Sequence, residues 1–308
     1  MNPGRETWTL ACPQCRTVLG LLPENSEPID CRQCGNRYVC CDGIRHFLTP
    51  EREAYLEPFL RDYTRIRLAE GRGSESPEFY RKLPECDPGH PIAWQWQIRR
   101  RTFDYFIARV LPGLGEHLKI LDLGAGVGWL SRHLADLGHH PCAIDPSVDG
   151  QDGLGAARHY SPEWPRFQAE FDRLPLAPGS SDAVIYNASL HYSTDYAKTL
   201  KEALRVLRPG GSIVVLESPI YRKEESGRQM VAERHAAFER RYGTRSDTIP
   251  SLEYLTWERL AALGRELGLS WRRFTPWYGW QWAMRPWIAR LKRKRESSRF
   301  VILVAAAP

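Results

Sequence analysis

Between residues 119 and 216 the apolar positions follow two alternating rhythms. Residues 120–123, 141–144, 183–186 and 212–216 are short apolar runs bounded by glycine, proline or acidic residues, the pattern of strands buried on both faces. Between them, Leu130, Leu134 and Leu137, then Ala197, Leu200, Leu204 and Leu207, recur at helical spacing. Strands alternating with helices predict a mostly parallel sheet covered on both faces. Two more helices are predicted over 224–242 and 257–267, and the last two strands over 271–274 and 300–305. Upstream, residues 52–68 place Tyr55, Phe59, Tyr63 and Ile66 on one side of a helix, and residues 93–110 form another, ended by Pro112 and Gly113.

The turn after the first strand carries the most specific chemistry. Gly124, Gly126 and Gly128 read GxGxG between a strand and a helix, which allows a sharp turn and close approach of the backbone to a ligand. Asp145 ends the next apolar run, where a carboxylate can accept both ribose hydroxyls of a nucleoside. A dinucleotide fits this turn poorly. Its fingerprint is GxGxxG and its pyrophosphate needs an open helix N-terminus, whereas here Trp129 follows the third glycine and Asp122 sits two residues before the first.

The N-terminal region belongs to a different class. Cys12, Cys15, Cys31 and Cys34 read C-x2-C-x15-C-x2-C, and two such turns aim four thiolates at one tetrahedral centre. One structural zinc is the expectation, because a segment this short buries too little to fold alone. Redox chemistry is the alternative for a CxxC pair, but no βαβ pattern surrounds these. Cys40, Cys41, Cys86 and Cys142 have no partner at ligand spacing. No apolar run near the ~20 residues of a membrane helix and no signal-peptide core predict a cytoplasmic protein without membrane insertion, a setting in which paired CxxC motifs favour metal.

These features together resemble the class I, Rossmann-like methyltransferases that use S-adenosylmethionine. The resemblance covers residues 95–305 and rests on the GxGxG turn, Asp145, the segment from Glu170 through Asp172 to Pro175, the strand end at Asn187, and the break at Arg208, Pro209, Gly210 and Gly211. It implies a seven-stranded, mostly parallel sheet flanked by helices. It also implies that Asp122, Gly124, Gly126 and Gly128 line the methionine end of S-adenosylmethionine and that Asp145 holds the ribose. Glu170 and Phe171 would read the adenine, with Asp172 the alternative to Glu170, and Asn187 and Leu190 would border the sulfonium. The first fifty residues are similar to the small zinc-binding activator subunit of several methyltransferases, through the cysteines and Tyr38, Asp42, Gly43, Ile44, Phe47 and Leu48. The expected organisation is a zinc-ribbon module at 1–50, a linker and cover segment at 51–92, and a methyltransferase domain at 93–308. On the same analogy Tyr63 or Arg67 would touch the methionine end.

The acceptor is less legible. His191, just past the fourth strand, is the leading base candidate, with Tyr192 beside it; Glu217, Tyr221, Arg222 and His235 are weaker. A small molecule is the expected acceptor. RNA is the alternative, because residues 285–299 carry seven Lys/Arg against one Glu within a net charge of +6. A non-catalytic partner that binds S-adenosylmethionine is a third reading. The tryptophan-rich stretch around Trp277, Trp280, Trp282 and Trp287 is expected to pack as an ordinary amphipathic helix, with base stacking as the alternative.

Overall fold

A computed structural model describes residues 7–161 and 163–308. The N-terminal region is built from short ladders. β1 (Thr9–Ala11) pairs with β2 (Val18–Leu21), and β3 (Ile29–Asp30) with β4 (Arg37–Tyr38), both antiparallel. β5 (Cys40–Cys41) and β6 (Ile44–His46) follow as a tight hairpin. Next come α1 (Pro50–Ala69), α2 (Pro77–Lys82) and α3 (Ala93–Arg109). α1 begins where Thr49 Oγ1 accepts the amide of Arg52 and Pro50 occupies the first turn, which has no amide to lose there.

The predicted alternation then appears in order. It runs β7 (Lys119–Leu123), α4 (Trp129–Asp136), β8 (His140–Asp145), β9 (Arg166–Gln168), β10 (Ser181–Asn187), α5 (Tyr196–Val206) and β11 (Leu207–Leu216). β12 (Ile220–Tyr221), α6 (Glu224–Tyr242), β13 (Leu255–Thr256), α7 (Trp257–Leu267), β14 (Arg272–Phe274), α8 (Trp280–Leu291) and β15 (Ile302–Ala306) complete the chain. α7 starts on Thr256, whose side chain accepts the Arg259 amide, and ends on Gly268 in the left-handed region.

One sheet organises the molecule, in the order β14-β15-β11-β10-β7-β8-β9-β6-β5. Strands from β11 to β6 run parallel; β15 is antiparallel to both of its neighbours. Its seven strands from β14 to β9 are the predicted Rossmann-like core. Two strands of the N-terminal region lengthen it: Ile44, Arg45 and His46 pair with Arg166, Phe167 and Gln168. A boundary at residue 50 therefore falls after chain that already belongs to the large sheet. β7, β8, β10 and the second half of β11, from Ile213 to Leu216, are buried almost throughout, which is why these stretches are mostly apolar rather than alternating.

Among the described residues no helix is long and apolar enough to cross a membrane. One departure concerns α8. Instead of packing as an ordinary amphipathic helix, it has no buried residue. Its large apolar side chains point outward, with Trp280, Met284, Trp287, Ile288 and Leu291 exposed, while Trp282 packs against Tyr278 and Phe300.

Candidate functional site

A cleft opens at the carboxyl ends of β7, β8 and β10, where open α/β sheets place their ligands. Its floor is the glycine turn. Gly124, Gly126 and Gly128 all have positive φ, at 74°, 53° and 76°. At Gly124 there is also no room: a Cβ would come within 2.4 Å of the Ser189 Cβ. At Gly126 the space is open, so a ligand can approach the backbone closely.

Asp145 stands beside this turn. It accepts the Gly126 amide at 2.9 Å on one oxygen and the Ser147 amide at 2.8 Å on the other. Burial pushes its carboxyl up to about 6, opposed by those two amides. Asp122 lies beneath the turn, fully buried, and accepts Ser131 Oγ at 2.8 Å. Its second oxygen has no partner, and burial pushes it up to about 7. Gly124, Gly126, Asp145, Glu170, Phe171, Asn187 and Tyr192 all border the cleft; Asp122, Gly128, Leu190 and His191 do not. Ala188, between Asn187 and Ser189, has φ of 54°, a conformation a residue with a Cβ adopts only when its surroundings impose it.

The wall facing the sheet comes from α1 and α3, whose helical spacing was legible in the sequence although the ion pairs that fix them were not. Arg52 binds both oxygens of Glu170, at 2.9 and 2.5 Å, and so ties α1 to the loop after β9. Asp172 in the same loop is paired with Lys198 at 2.5 Å. Phe59 and Tyr63 stack at 5.5 Å, and Tyr192 meets their edges at 6.4 and 5.7 Å. Burial pushes the Tyr63 hydroxyl above its ordinary range, so it remains protonated. Arg67 is gripped by Asp152 at 2.6 and 2.9 Å. Arg99 reaches Glu217 at 3.5 Å, and burial pulls its guanidinium down to about 10. Arg72 pairs with Glu70 at 2.7 Å while its Nη1 is buried without a partner.

His191 is placed elsewhere than a base requires. Its ring is buried outside the cleft lining, 3.4 Å from Ser218 Oγ, and its carbonyl accepts the Glu253 amide. Burial, with Arg234 and Arg99 nearby, drives it down to about 3, so the imidazole is neutral. The weaker candidates also stand apart. His235 pairs with Glu253 at 2.7 Å, Tyr221 with Arg295 at 3.2 Å, and the Arg222 amide donates to Glu296. Glu217 touches the site only through Arg99.

The four cysteines converge. Their sulfurs lie within 4.8 Å of one another, with Cys12 to Cys34 at 3.5 Å and Cys15 to Cys31 at 3.4 Å. A tetrahedral thiolate site with metal–sulfur bonds of ~2.3 Å has edges of roughly 3.8 Å, so the donor set fits such an ion. The two knuckles are alike: Arg16 and Gly35 occupy matching left-handed positions and donate their amides to the carbonyls of Cys12 and Cys31. Tyr38 Oη lies 2.9 Å from the Cys12 sulfur.

Residues 121–215 match the methyltransferase domain family. The chain carries a class I methyltransferase fold. Among curated relatives, it is 32% identical over 122 residues to a malonyl-[acyl-carrier protein] O-methyltransferase of Pseudescherichia vulneris, covering 38% of this chain and 45% of that protein. It is 40% identical over 99 residues to a demethylmenaquinone methyltransferase of Mycolicibacterium vanbaalenii, covering 32% and 41%. The chain thus spans less than half the length of these two relatives. A solved complex between a Haloferax volcanii methyltransferase activator and a methyltransferase contains a chain that matches at 20% identity and a TM-score of 0.48, over 70% of this chain and 95% of that one.

Proposed function

We propose that this protein is an S-adenosylmethionine-dependent methyltransferase acting on a small-molecule acceptor. The observation that carries the reading is the cleft itself. An open glycine turn, the Asp145 carboxylate and Asn187 meet at the sheet's carboxyl end under an aromatic wall. Bound S-adenosylmethionine supplies an electrophilic methyl carbon. In this reading Asp145 takes the ribose, the turn from Gly124 to Gly126 admits the methionine end, and Phe171 faces the adenine. Glu170 has both oxygens held by Arg52, which favours a role in closing α1 over the cofactor. Arg72 is the candidate for the cofactor carboxylate in preference to Arg67, because its Nη1 is buried without a partner while Glu70 and Gln95 hold its other nitrogens.

The acceptor would lie against Phe59, Tyr63 and Tyr192, which suits a flat or apolar body. The relative named for demethylmenaquinone supports a small acceptor. Tyr192 is the candidate catalytic residue that remains in the cleft, and its role is to position the acceptor; rate then comes from proximity and alignment rather than from a strong base.

The cysteine module belongs to the same proposal, as a built-in zinc ribbon that supports the cofactor loop. Glu202 accepts Arg16 of the module at 2.5 Å, the Leu174 amide at 2.8 Å and Arg205 at 2.9 Å. Residues 1–50, 51–92 and 93–308 then act as module, cover and methyltransferase domain, with β5 and β6 shared between the first and the last.

Incubation of labelled S-adenosylmethionine with separated small-molecule and RNA fractions tests the acceptor class. Label in the small-molecule fraction is expected; label confined to RNA would overturn the reading. Calorimetry tests the donor, with Arg72→Ala expected to weaken S-adenosylmethionine by about tenfold.

A further inference from the structure

Helix α8 is the region that neither the cleft nor the core employs. Trp280, Met284, Trp287, Ile288 and Leu291 recur at intervals of three and four, so they form one stripe along it. The stripe is exposed: 77% at Trp280, 68% at Trp287 and 85% at Leu291. Trp277, just before the helix, adds to it at 59% and packs edge-on to Trp280. The opposite side anchors the helix. Trp282 packs on Tyr278 and Phe300, and Tyr278 Oη lies 3.0 Å from Thr102 Oγ1 on α3. The apolar stripe is therefore presented outward on a fixed support.

Charge identifies what it meets. Arg290, Lys292, Arg293 and Lys294 lie beside the stripe or directly after it, are exposed, and form no ion pair among the described residues. No acidic residue interrupts them. A second copy of the chain docking through this face would bring that cationic cluster against itself. Stacked bases would use the tryptophans but gain nothing from Met284, Ile288 and Leu291. Lipid satisfies both features: tryptophan and aliphatic side chains enter the boundary between headgroups and acyl chains, and the cations meet anionic headgroups. We propose that α8 docks the protein on an anionic membrane surface, lying in the interface and not crossing it. The proposal does not depend on the methyl-transfer reading.

Sedimentation of the full, metal-loaded chain with vesicles tests it. Vesicles of phosphatidylcholine containing about a third phosphatidylglycerol should bring the protein down, and phosphatidylcholine alone should do so at least about tenfold more weakly. Trp287→Ser and Leu291→Ser should each lower partitioning about tenfold, with circular dichroism and S-adenosylmethionine binding unchanged. Changing Lys292, Arg293 and Lys294 together to Gln should abolish the preference for anionic vesicles and leave the weak binding to phosphatidylcholine. Absence of binding to either vesicle overturns the proposal, as does parental binding by the Trp287 and Leu291 variants. So does a dimer seen by light scattering, or polyuridine binding, that is lost in those same variants.

Discussion

The cysteine module and helix α8 are both additions to the same seven-strand core, and both are rich in large apolar residues, yet they use them oppositely. In the module, Trp8, Leu10, Tyr38 and Phe47 join the main hydrophobic core, and Leu10 bridges to Leu176. The module closes the β9 edge of the sheet with two strands, so the unpaired backbone groups there find partners. α8 leaves Trp280, Trp287 and Leu291 in solvent. Apolar side chains in the first region stabilise the fold; those in the second add little to it and are available to something outside the chain.

The largest effect expected from breaking this comparison is metal removal. A strong chelator should cost the module several kcal/mol, on the order of the binding energy of a structural zinc site. Hydrogen exchange should quicken both in the module and around Leu174, because Arg16 and Leu174 share Glu202. Unchanged exchange around Leu174 would break the link between module and cofactor loop.

Core truncation sharpens the contrast directly. Leu10→Ala, at a fully buried position, should lower urea stability by ~2–5 kcal/mol. Leu291→Ser, at a position 85% exposed, should change it by less than ~0.5 kcal/mol. Comparable losses at the two sites would mean that α8 folds inward after all.

Within the cleft, Asp145→Ala should weaken S-adenosylmethionine by about 10- to 100-fold in calorimetry, the scale of hydrogen bonds to a charged group. The parent chain should also lose affinity as pH falls below about 6, where the raised carboxyl of Asp145 takes up a proton and ceases to be a full acceptor. A flat affinity profile from pH 7 to 5 would remove Asp145 from the ribose site.

The last effect concerns His191. Its ordinary value is 6.5, and burial holds it at about 3 in the folded chain. Below pH 6.5 the unfolded chain takes up a proton that the folded chain refuses. Stability is therefore lost as pH falls from 6.5 toward 3, by at most ~1.4 kcal/mol per unit, and is unaffected by this group above 6.5. Denaturation midpoints of His191→Gln should fall less steeply with acid than those of the parent. An identical slope would show that the imidazole is protonated in place.

Much of the sheet was legible because buried parallel strands and amphipathic helices write their period into the chain. β7, β8 and β10 appear within two residues of their expected ends, and α6 and α7 at their expected bounds. The glycine turn and the cysteine knuckles were legible for the same local reason: a positive φ, or two thiols on one turn, is decided by a few neighbouring residues. His191 and Tyr192 show where that stops. They are adjacent in sequence and follow the same strand, yet one faces the cleft and the other is buried away from it. Which way each turns depends on Ser218, Glu253 and Tyr63, which are distant in sequence.

The sequence by itself determined the periodicities, the GxGxG turn with its carboxylate, and the tetrahedral cysteine set, since each follows from backbone sterics or ligand spacing within a short stretch. The tertiary structure alone decided the pairing of Arg52 with Glu170, the orphaned nitrogen of Arg72, the joining of β6 to β9 and the outward turn of α8. Each of these rests on groups far apart in the chain. Amphipathic spacing states that a helix has an apolar face; only the packing of Trp282 on Tyr278 and Phe300 decides that the face points away from the protein.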